Sequence, residues 1–464
     1  MRNTRSYLIT LKLFVFFIVI GITVLIQLIT IPAGIDQLIK NCYYHICVQW
    51  FVILSAWMLV FSRKKTDIFE PIVLLSAVHF VFFEITPLIC IRDNNISYFG
   101  VNVWNGCIKA TYISTVGYLA LLFAYFYVKN NPTAYEEELE FISNSDKVLV
   151  FNYAVWVFSF ICGLILIYGY GLNFRYLITG GMIGLTESTN EKSIFGFLGI
   201  IFYAMIPSYL YIFELSKIKA IKIVLFYLTF MSYFVRGFRF IMIACLLSPV
   251  IFIYLKKNKR PKFRTIVIML MLLAVFSSFV QFTRTAIRSG IGAGDTFIKL
   301  INFNSVRRVI VDNFEIVKTY YAIVDKYPSM YPYTLGTEIF LSTALLLIPS
   351  AIWHGKPAPP IYQVVENSLT SRARVAGTSF PYLGEYYFEF GVIGVIFFMV
   401  VLGVLLRKLN KYMYTNKIHD YILYASLLPL LFQVLIRGYT PTNFYMIVFV
   451  LLPVYVSKHL ISHQ

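Results

Sequence analysis

The sequence is poor in charge, because Asp, Glu, Lys and Arg together make up only 13% of its 464 residues. A soluble globular protein carries about 25% charged and about 45–50% apolar residues. Here 59% of the residues are hydrophobic and 18% are aromatic. A water-soluble enzyme with a charged surface is therefore excluded.

Motifs for metal-dependent hydrolysis and for ATP-driven work are also missing. The six cysteines have no CxxC spacing, the six histidines are dispersed, and no HExxH, P-loop or GxSxG pattern occurs. We therefore expect neither a metal nor a cofactor. Cys90 and Cys107 flank one outside loop and could form a disulfide, although two unpaired buried thiols are the favoured alternative.

What the chain does contain is a series of long apolar runs between charge clusters. They predict an all-α polytopic membrane protein with about twelve transmembrane helices, each crossing requiring about 20 apolar residues. The short seventh and eighth runs form a pair that meets at residues 236–239. The predicted crossings are 13–31, 44–61, 72–91, 108–128, 148–168, 195–215, 223–235, 240–255, 266–282, 386–406, 421–436 and 444–456.

Basic clusters predict how these helices are oriented. Residues 63–65, 217–222, 256–264 and 407–411 are rich in lysine and arginine and fall on one side of the membrane. By the positive-inside rule this side is the cytoplasm, and an even number of crossings places both termini there. The first run lacks a small-residue cleavage site, so we expect a retained helix.

One large outside loop interrupts the pattern. Residues 283–385 contain no convincing span and are inserted before the last three transmembrane helices of a single integral membrane domain. The apolar stretch 339–352 is too short to cross and is predicted to pack against the outer rim. Within 297–327, apolar residues at helical spacing predict an amphipathic helix along the outer surface, ended by Pro328.

The formal net charge of +18 comes from basic residues whose type differs between the two sides of the membrane. Lysine predominates on the inner side, whereas arginine predominates on the outer side, where the positive-inside rule does not predict it. The arginines could extend to lipid headgroups. Because guanidinium groups bind phosphate bidentately, a site for a lipid-anchored pyrophosphate, not for nucleic acid, is the favoured alternative. The candidates at the outer interface are Arg236, Arg239, Arg284, Arg288, Arg372, Arg374 and Arg437.

Three motifs carry a resemblance to a known family. They are GTSFPYLGEYYFEFGVIG at 377–394, RGFRF at 236–240, and YTLG at 333–336 followed by IPSAIWHGKP at 348–357. With the large penultimate outside loop, they resemble the bacterial O-antigen polymerases, also called Wzy-type oligosaccharide repeat unit polymerases. The similarity extends over most of the chain.

The resemblance implies an inverting, metal-independent glycosyltransferase with a GT-C-like fold, active at the periplasmic face of the bacterial inner membrane. Its substrates would be oligosaccharides linked to undecaprenyl pyrophosphate, within membrane lipids, and its partners would include a chain-length regulator and a flippase. A flippase is itself an alternative, but flippases usually show two comparable halves, which this chain lacks. An O-antigen ligase is less favoured, because residues 379–381 read Ser-Phe-Pro where ligases often have a histidine.

This chemistry requires a stabilised pyrophosphate and a base. We assign Arg284 and Arg288 to the pyrophosphate leaving group, with the other outer arginines as substrate contacts. Glu385 is the best-placed base for the acceptor hydroxyl. The equal alternative is that Glu385 is a structural carboxylate that pairs with Arg372 or Arg374. Weaker candidates for contact with the substrate or for the base role are Glu338, His354, Lys356 and Tyr386. Glu389 is expected to be a buried partner of an arginine.

Overall fold

The fold is almost entirely helical in the residues that a computed structural model describes. Those residues are 20–22, 24, 35–61, 67–92, 97–128, 145–169, 198–236, 239–262, 264–266, 268–269, 272–273, 275–276, 316–348, 352–370 and 379–462. Among them the strands are β1 (Ser97–Tyr98) and β2 (Val101–Asn102), an antiparallel pair in which Ser97 faces Asn102.

The α-helices in chain order are α1 (Ile35–Phe61), α2 (Pro71–His79), α3 (Thr86–Arg92), α4 (Trp104–Tyr127), α5 (Ser145–Gly169), α6 (Leu198–Ile201), α7 (Met205–Leu215), α8 (Lys219–Arg236), α9 (Arg239–Lys256), α10 (Ile316–Lys326), α11 (Thr343–Leu345), α12 (Pro360–Ser368), α13 (Tyr382–Lys411), α14 (Ile418–Ile436) and α15 (Thr440–Ser462). π-Helical segments at Phe80–Ile85 and Thr337–Ser342 join α2 to α3 and precede α11. Single 3-10 turns lie at Phe202–Ala204 and Tyr412–Tyr414.

In the described part of the chain, seven helices are long and apolar enough to cross a membrane. They are Pro71–Arg92, Trp104–Tyr127, Asp146–Ile165, Leu198–Leu215, Tyr382–Tyr414, Ile418–Ile436 and Thr440–Leu460. Each coincides with a predicted crossing, so the all-α polytopic membrane class is confirmed.

The remaining predicted crossings stay predictions. Two coincide with shorter apolar helices, Cys42–Met58 and Phe240–Lys256, and one coincides with α8. The runs 13–31 and 266–282 lie largely outside the described residues.

The helix predicted along the outer surface is instead buried. Its described part is α10, in which the polar residues Lys318 and Thr319 are at most 1% exposed, so the surface position was wrong. Hydrogen bonds with α4 cover the polar face of α10. The Asn105 side chain donates to Asp325 at 3.0 Å, and the Tyr320 hydroxyl donates to the Ala110 carbonyl at 3.2 Å.

Gly106 permits this close contact between α4 and α10. A Cβ atom at position 106 would lie 1.8 Å from the carbonyl oxygen of Tyr321. The absence of a side chain therefore brings the two backbones together. α10 also packs against α12 and α13, which joins the segment after residue 316 to the core of the bundle.

α13 is broken near its beginning. Phe390 leaves the helical conformation and Gly391 has φ 64° and ψ −150°, a left-handed region that glycine tolerates best. The ring of Tyr333 occupies the space where a side chain at 391 would lie, with its hydroxyl 2.7 Å from the ideal Cβ position. The break therefore accommodates the loop that contains Tyr333.

Cys90 and Cys107 are both buried, and no disulfide joins them. The predicted alternative without a disulfide is thus confirmed.

Candidate active site

Three glutamates meet where the loop at 333–342, the start of α13 and the start of α15 come together. Glu385 and Glu389 lie four residues apart, and hence on one face of α13, while Glu338 lies in the π-helical segment. All three are at most 1% exposed. A buried carboxylate is costly unless it is hydrogen-bonded, so the partners of each define what this cluster can do.

Glu385 fixes the beginning of α15. Its carboxylate accepts hydrogen bonds from the N–H of Tyr439 at 3.0 Å and from the N–H and hydroxyl of Thr440 at 2.7 and 2.9 Å. Helix N-termini have unsatisfied N–H groups and a partial positive charge, which an acidic group stabilises. The two arginines predicted as alternative partners, Arg372 and Arg374, lie outside the described residues.

Glu389 likewise accepts hydrogen bonds from backbone N–H groups, here those of the loop at 333–342. It accepts hydrogen bonds from the N–H groups of Gly336, Glu338 and Ile339, the last two at 2.8 and 3.3 Å. In the described residues its partners are therefore these backbone groups and the Thr334 side chain, where the sequence predicted an arginine. The carboxylate caps the π-helical segment that carries Glu338.

Backbone hydrogen bonds join two of the sequence motifs directly. The N–H groups of Thr334 and Leu335 donate to the carbonyls of Phe388 and Glu389, at 3.0 and 3.1 Å. These carbonyls precede the break in α13 and would otherwise lack helical partners. The YTLG motif thus takes the place of the next helical turn of the 377–394 motif.

Glu338 differs from the other two glutamates in its hydrogen bonds. Oε2 accepts the N–H of Ile361 at 2.8 Å, whereas Oε1 is buried and has no hydrogen-bond partner in the described part of the chain. Burial raises the pKa of Glu338 to about 8, and the nearby Glu385 and Glu389 carboxylates contribute to the rise. Glu338 is thus a carboxyl group that exchanges a proton near neutral pH.

The turn between α14 and α15 brings a residue to this cluster that the sequence analysis did not identify. Tyr439 has φ 103°, and its phenol interacts electrostatically with Glu338, Tyr362 and Glu385. Burial and these neighbours raise the pKa of Tyr439 above its ordinary value. The available signal was the Arg-Gly-Tyr-Thr-Pro turn at 437–441, directly before an apolar helix.

Arg437 is the one predicted arginine whose side chain the structure describes. Its guanidinium lies 5.5 Å from the ring centre of Phe240, which belongs to the RGFRF motif, and its carbonyl accepts a hydrogen bond from Asn443 at 3.0 Å. As predicted, α8 ends at Arg236 and α9 begins at Arg239. Arg284 and Arg288 lie outside the described residues.

The weaker candidates take different positions. Tyr386 is half-buried and stacks on Phe398, with ring centres 4.8 Å apart. Lys356 donates to the carbonyl of Ile348 at 2.9 Å, and burial lowers its pKa. His354 lies in an exposed turn. In the described residues no group of three or more His, Cys, Asp or Glu side chains could hold a metal ion.

These features define the class: a polytopic α-helical membrane protein with a cluster of buried carboxylates where its late loops meet two helix starts. A family model described as "O-antigen polysaccharide polymerase Wzy" matches residues 8–464. The chain belongs to this family, as the resemblance of its motifs indicated. Neither the curated proteins nor the solved structures gave a match.

Membership of this family identifies a bacterial membrane protein of O-antigen biosynthesis. It supports a role in the polymerisation of O-antigen repeat units, a glycosyltransferase-like activity on lipid-linked oligosaccharides. The apolar helices of the described residues agree with such a membrane location.

Proposed function

We propose that this protein transfers the growing glycan from undecaprenyl pyrophosphate to a new lipid-linked repeat unit at the periplasmic face of the inner membrane. The observation that carries the proposal is the family match over residues 8–464. Both termini lie in the cytoplasm, and residues 283–385 form the large periplasmic loop. A chain-length regulator and a flippase are the expected partners.

The reaction is that of an inverting, metal-independent GT-C glycosyltransferase. When the sugar–phosphate bond breaks, negative charge develops on the pyrophosphate, and positioned guanidinium groups stabilise it. Arg284 and Arg288 are assigned this catalytic role. The lipid pyrophosphate and the glycan are contacted by Arg236, Arg239, Arg372, Arg374, Arg437, Lys356, His354, Glu338 and Tyr386.

Two contacts support a site at the junction of the late helices. The cation–π contact of Arg437 with Phe240 brings the RGFRF motif to the turn that precedes α15. Glu385, the base predicted from the sequence, accepts hydrogen bonds from that same turn. Arg437 and Glu385, two residues predicted for the site, therefore both contact the turn where two of the motifs converge.

Polymerisation of a purified lipid-linked repeat unit by the purified full-length protein in lipid nanodiscs tests the proposal. We expect a ladder of products that differ by one repeat unit, with release of undecaprenyl pyrophosphate. Transfer of the glycan to lipid A core alone would instead identify a ligase. Movement of the unmodified substrate across proteoliposomes, without any ladder, would identify a flippase.

Deletion of the gene gives an independent readout in cells. The surface polysaccharide should then consist of single repeat units on the lipid core. Complete loss of surface sugar would favour the flippase, and long chains confined to the undecaprenyl lipid would favour the ligase.

A further inference from the structure

The short helical segment that follows the YTLG motif has an apolar face that the other described residues leave uncovered. Its side chains recur three to four positions apart, which places them on one side of a helix. They are all exposed, and the largest of them, Phe340, is 62% exposed. This surface, called the 340–347 face, consists of Phe340, Leu341, Ala344 and Leu347.

The sequence around the 340–347 face is free of charge. Residues 339–353 contain no Asp, Glu, Lys or Arg. A helix that lies against water normally has charged or polar residues on its outer side. The apolar run 339–348, which ends before Pro349, is too short to cross a membrane, and its length is typical of an interfacial segment. The chemistry of this face therefore matches hydrocarbon and not water.

The 340–347 face adjoins the exposed apolar surface of α15. The Tyr445 hydroxyl donates to the carbonyl of Thr343 at 3.1 Å, which joins the segment to a helix that is long and apolar enough to cross a membrane. Beside Tyr445, the exposed ring of Phe444 has its centre 5.3 Å from that of Tyr445. An exposed apolar side of a membrane-spanning helix faces lipid. The same lipid can therefore extend over both surfaces.

Hydrogen bonds at the end of the segment also suit a lipid environment, where each backbone polar group needs a partner within the protein. The Thr343 hydroxyl donates to the carbonyl of Ile339, and Nζ of Lys356 donates to the carbonyl of Ile348 at 2.9 Å. The exposed Trp353 precedes this lysine. Tryptophan and lysine are typical of the boundary between lipid and water.

We propose that the 340–347 face is immersed in the acyl chains of the membrane, in the leaflet that the first turns of α15 enter. Trp353 and Lys356 then lie at the level of the lipid headgroups. The partner of this surface is thus the lipid bilayer itself, and the segment from Thr337 to Trp353 is an interfacial element of the membrane domain.

This contact has a consequence for the carboxylate cluster. Glu338 is buried on the other side of the same segment, where its Oε2 accepts the N–H of Ile361 at 2.8 Å. Because one short segment joins the carboxylate to the lipid, its immersion fixes the cluster near the depth of the headgroups. The phosphates of a lipid-linked substrate lie at the same depth. This consequence rests on the proposed function, whereas the contact with lipid does not.

Collisions of a nitroxide spin label with two reagents test the contact. Oxygen dissolves in hydrocarbon, whereas the chromium oxalate anion stays in water. The full-length protein with Leu341→Cys or Leu347→Cys is labelled and reconstituted in lipid nanodiscs, with Cys47→Ser to remove an exposed native thiol. Leu452→Cys, at an exposed position of α15, is the lipid reference, and Gln363→Cys, at an exposed position of α12, is the water reference.

We expect the labels at 341 and 347 to collide with chromium oxalate at least about tenfold less often than the label at 363, since an anion is excluded from hydrocarbon. They should collide with oxygen as often as the label at 452. Chromium oxalate collisions as frequent as those at 363 would overturn the proposal, because the face would then lie in water. Rare collisions with both reagents would also overturn it, because protein, such as a second copy of the chain, would then cover the face.

The two labelled positions make the test independent of any one variant. If Leu341→Cys does not fold, Leu347→Cys reports on the same face. The measurement needs no substrate, so a failure of the lipid contact is distinguishable from a failure of the proposed function, which the polymerisation assay reports.

Discussion

Glu385 accepts hydrogen bonds from both the N–H and the hydroxyl of Thr440, at 2.7 and 2.9 Å. One carboxylate thereby joins the first turn of α13 to the first turn of α15, 55 residues further along the chain. The same carboxylate holds Tyr439 in place. This contact makes the position of the candidate site depend on how two membrane helices begin.

Replacing Glu385 by Gln should weaken this connection. The amide nitrogen of Gln cannot accept a hydrogen bond, so at least one buried N–H or hydroxyl group loses its partner, at a cost of about 1–3 kcal/mol. We expect a lower thermal unfolding temperature in detergent and less protein in the membrane. The exposed Glu366 of α12 provides a comparison, and Glu366→Gln should lower both quantities less than Glu385→Gln does. Normal membrane abundance combined with lost activity would instead support the base role predicted from the sequence.

Gly391→Ala should destabilise the break in α13. The new methyl group would meet the Tyr333 hydroxyl at 2.7 Å, and φ of 64° is unfavourable for alanine. A loss of about 1–3 kcal/mol is expected, measured by thermal unfolding. Gly355→Ala is the control, because its Cβ would have an ordinary contact of 3.5 Å with Trp353. Equal stability of the two variants would contradict the described conformation of Gly391.

Gly106→Ala tests whether α10 is buried against α4. A Cβ atom 1.8 Å from the Tyr321 carbonyl forces the two helices apart, so a loss of stability of about 2 kcal/mol or more is expected. Gly384→Ala, whose Cβ would have contacts of 3.5 Å or more, should be tolerated. Unfolding temperatures that do not distinguish these variants would argue for a helix at the surface.

Glu338→Gln should change how stability depends on pH. The folded protein binds the Glu338 proton more tightly than the unfolded chain, since the pKa is raised from 4.5 to about 8. The stabilising contribution is therefore complete below pH 4.5 and is lost as the pH rises through about 8. The unfolding temperature of the unmodified chain should fall across this window, and that of Glu338→Gln should fall less. Parallel curves would mean that folding does not raise the pKa of Glu338.

Arg284→Lys and Arg288→Lys test the assigned phosphate contacts. Lysine keeps the charge but cannot bind phosphate bidentately. Loss of a positioned donor to a developing anion typically costs about 100-fold or more in rate, so chain extension should be abolished. Lys408→Arg in α13, within a basic cluster that sets topology, is a control that should leave product ladders unchanged. Unchanged ladders for both arginine variants would remove these residues from the site.

The helices were predictable because lipid requires long apolar segments, and this requirement is visible in composition. The burial of α10 was not predictable, because Lys318 and Thr319 have the pattern of a solvated face. Gly106, distant in sequence, permits the close approach of α4 to α10. The sequence indicated Glu385 and Glu338 as separate candidates for the base role, but it did not predict that they lie in one region. The hydrogen-bond partners of these glutamates could not be predicted, because they are mostly backbone N–H groups, which every residue type except proline carries. Tyr439 was missed because the Arg-Gly-Tyr-Thr-Pro sequence predicts a turn but not a positive φ at its tyrosine.

The connection between the loop at 333–336 and α13 consists of main-chain hydrogen bonds and the close fit of Tyr333 on Gly391. Main-chain groups are the same for almost every amino acid, so the two N–H donors of this connection do not depend on a particular residue type. The side chains still contribute at this position, since the Thr334 hydroxyl also donates to the Phe388 carbonyl at 3.4 Å and Leu335 has φ 51°. The position of the loop on α13 is therefore determined chiefly by backbone geometry. Substitutions of exposed side chains elsewhere in the loop should leave this position intact.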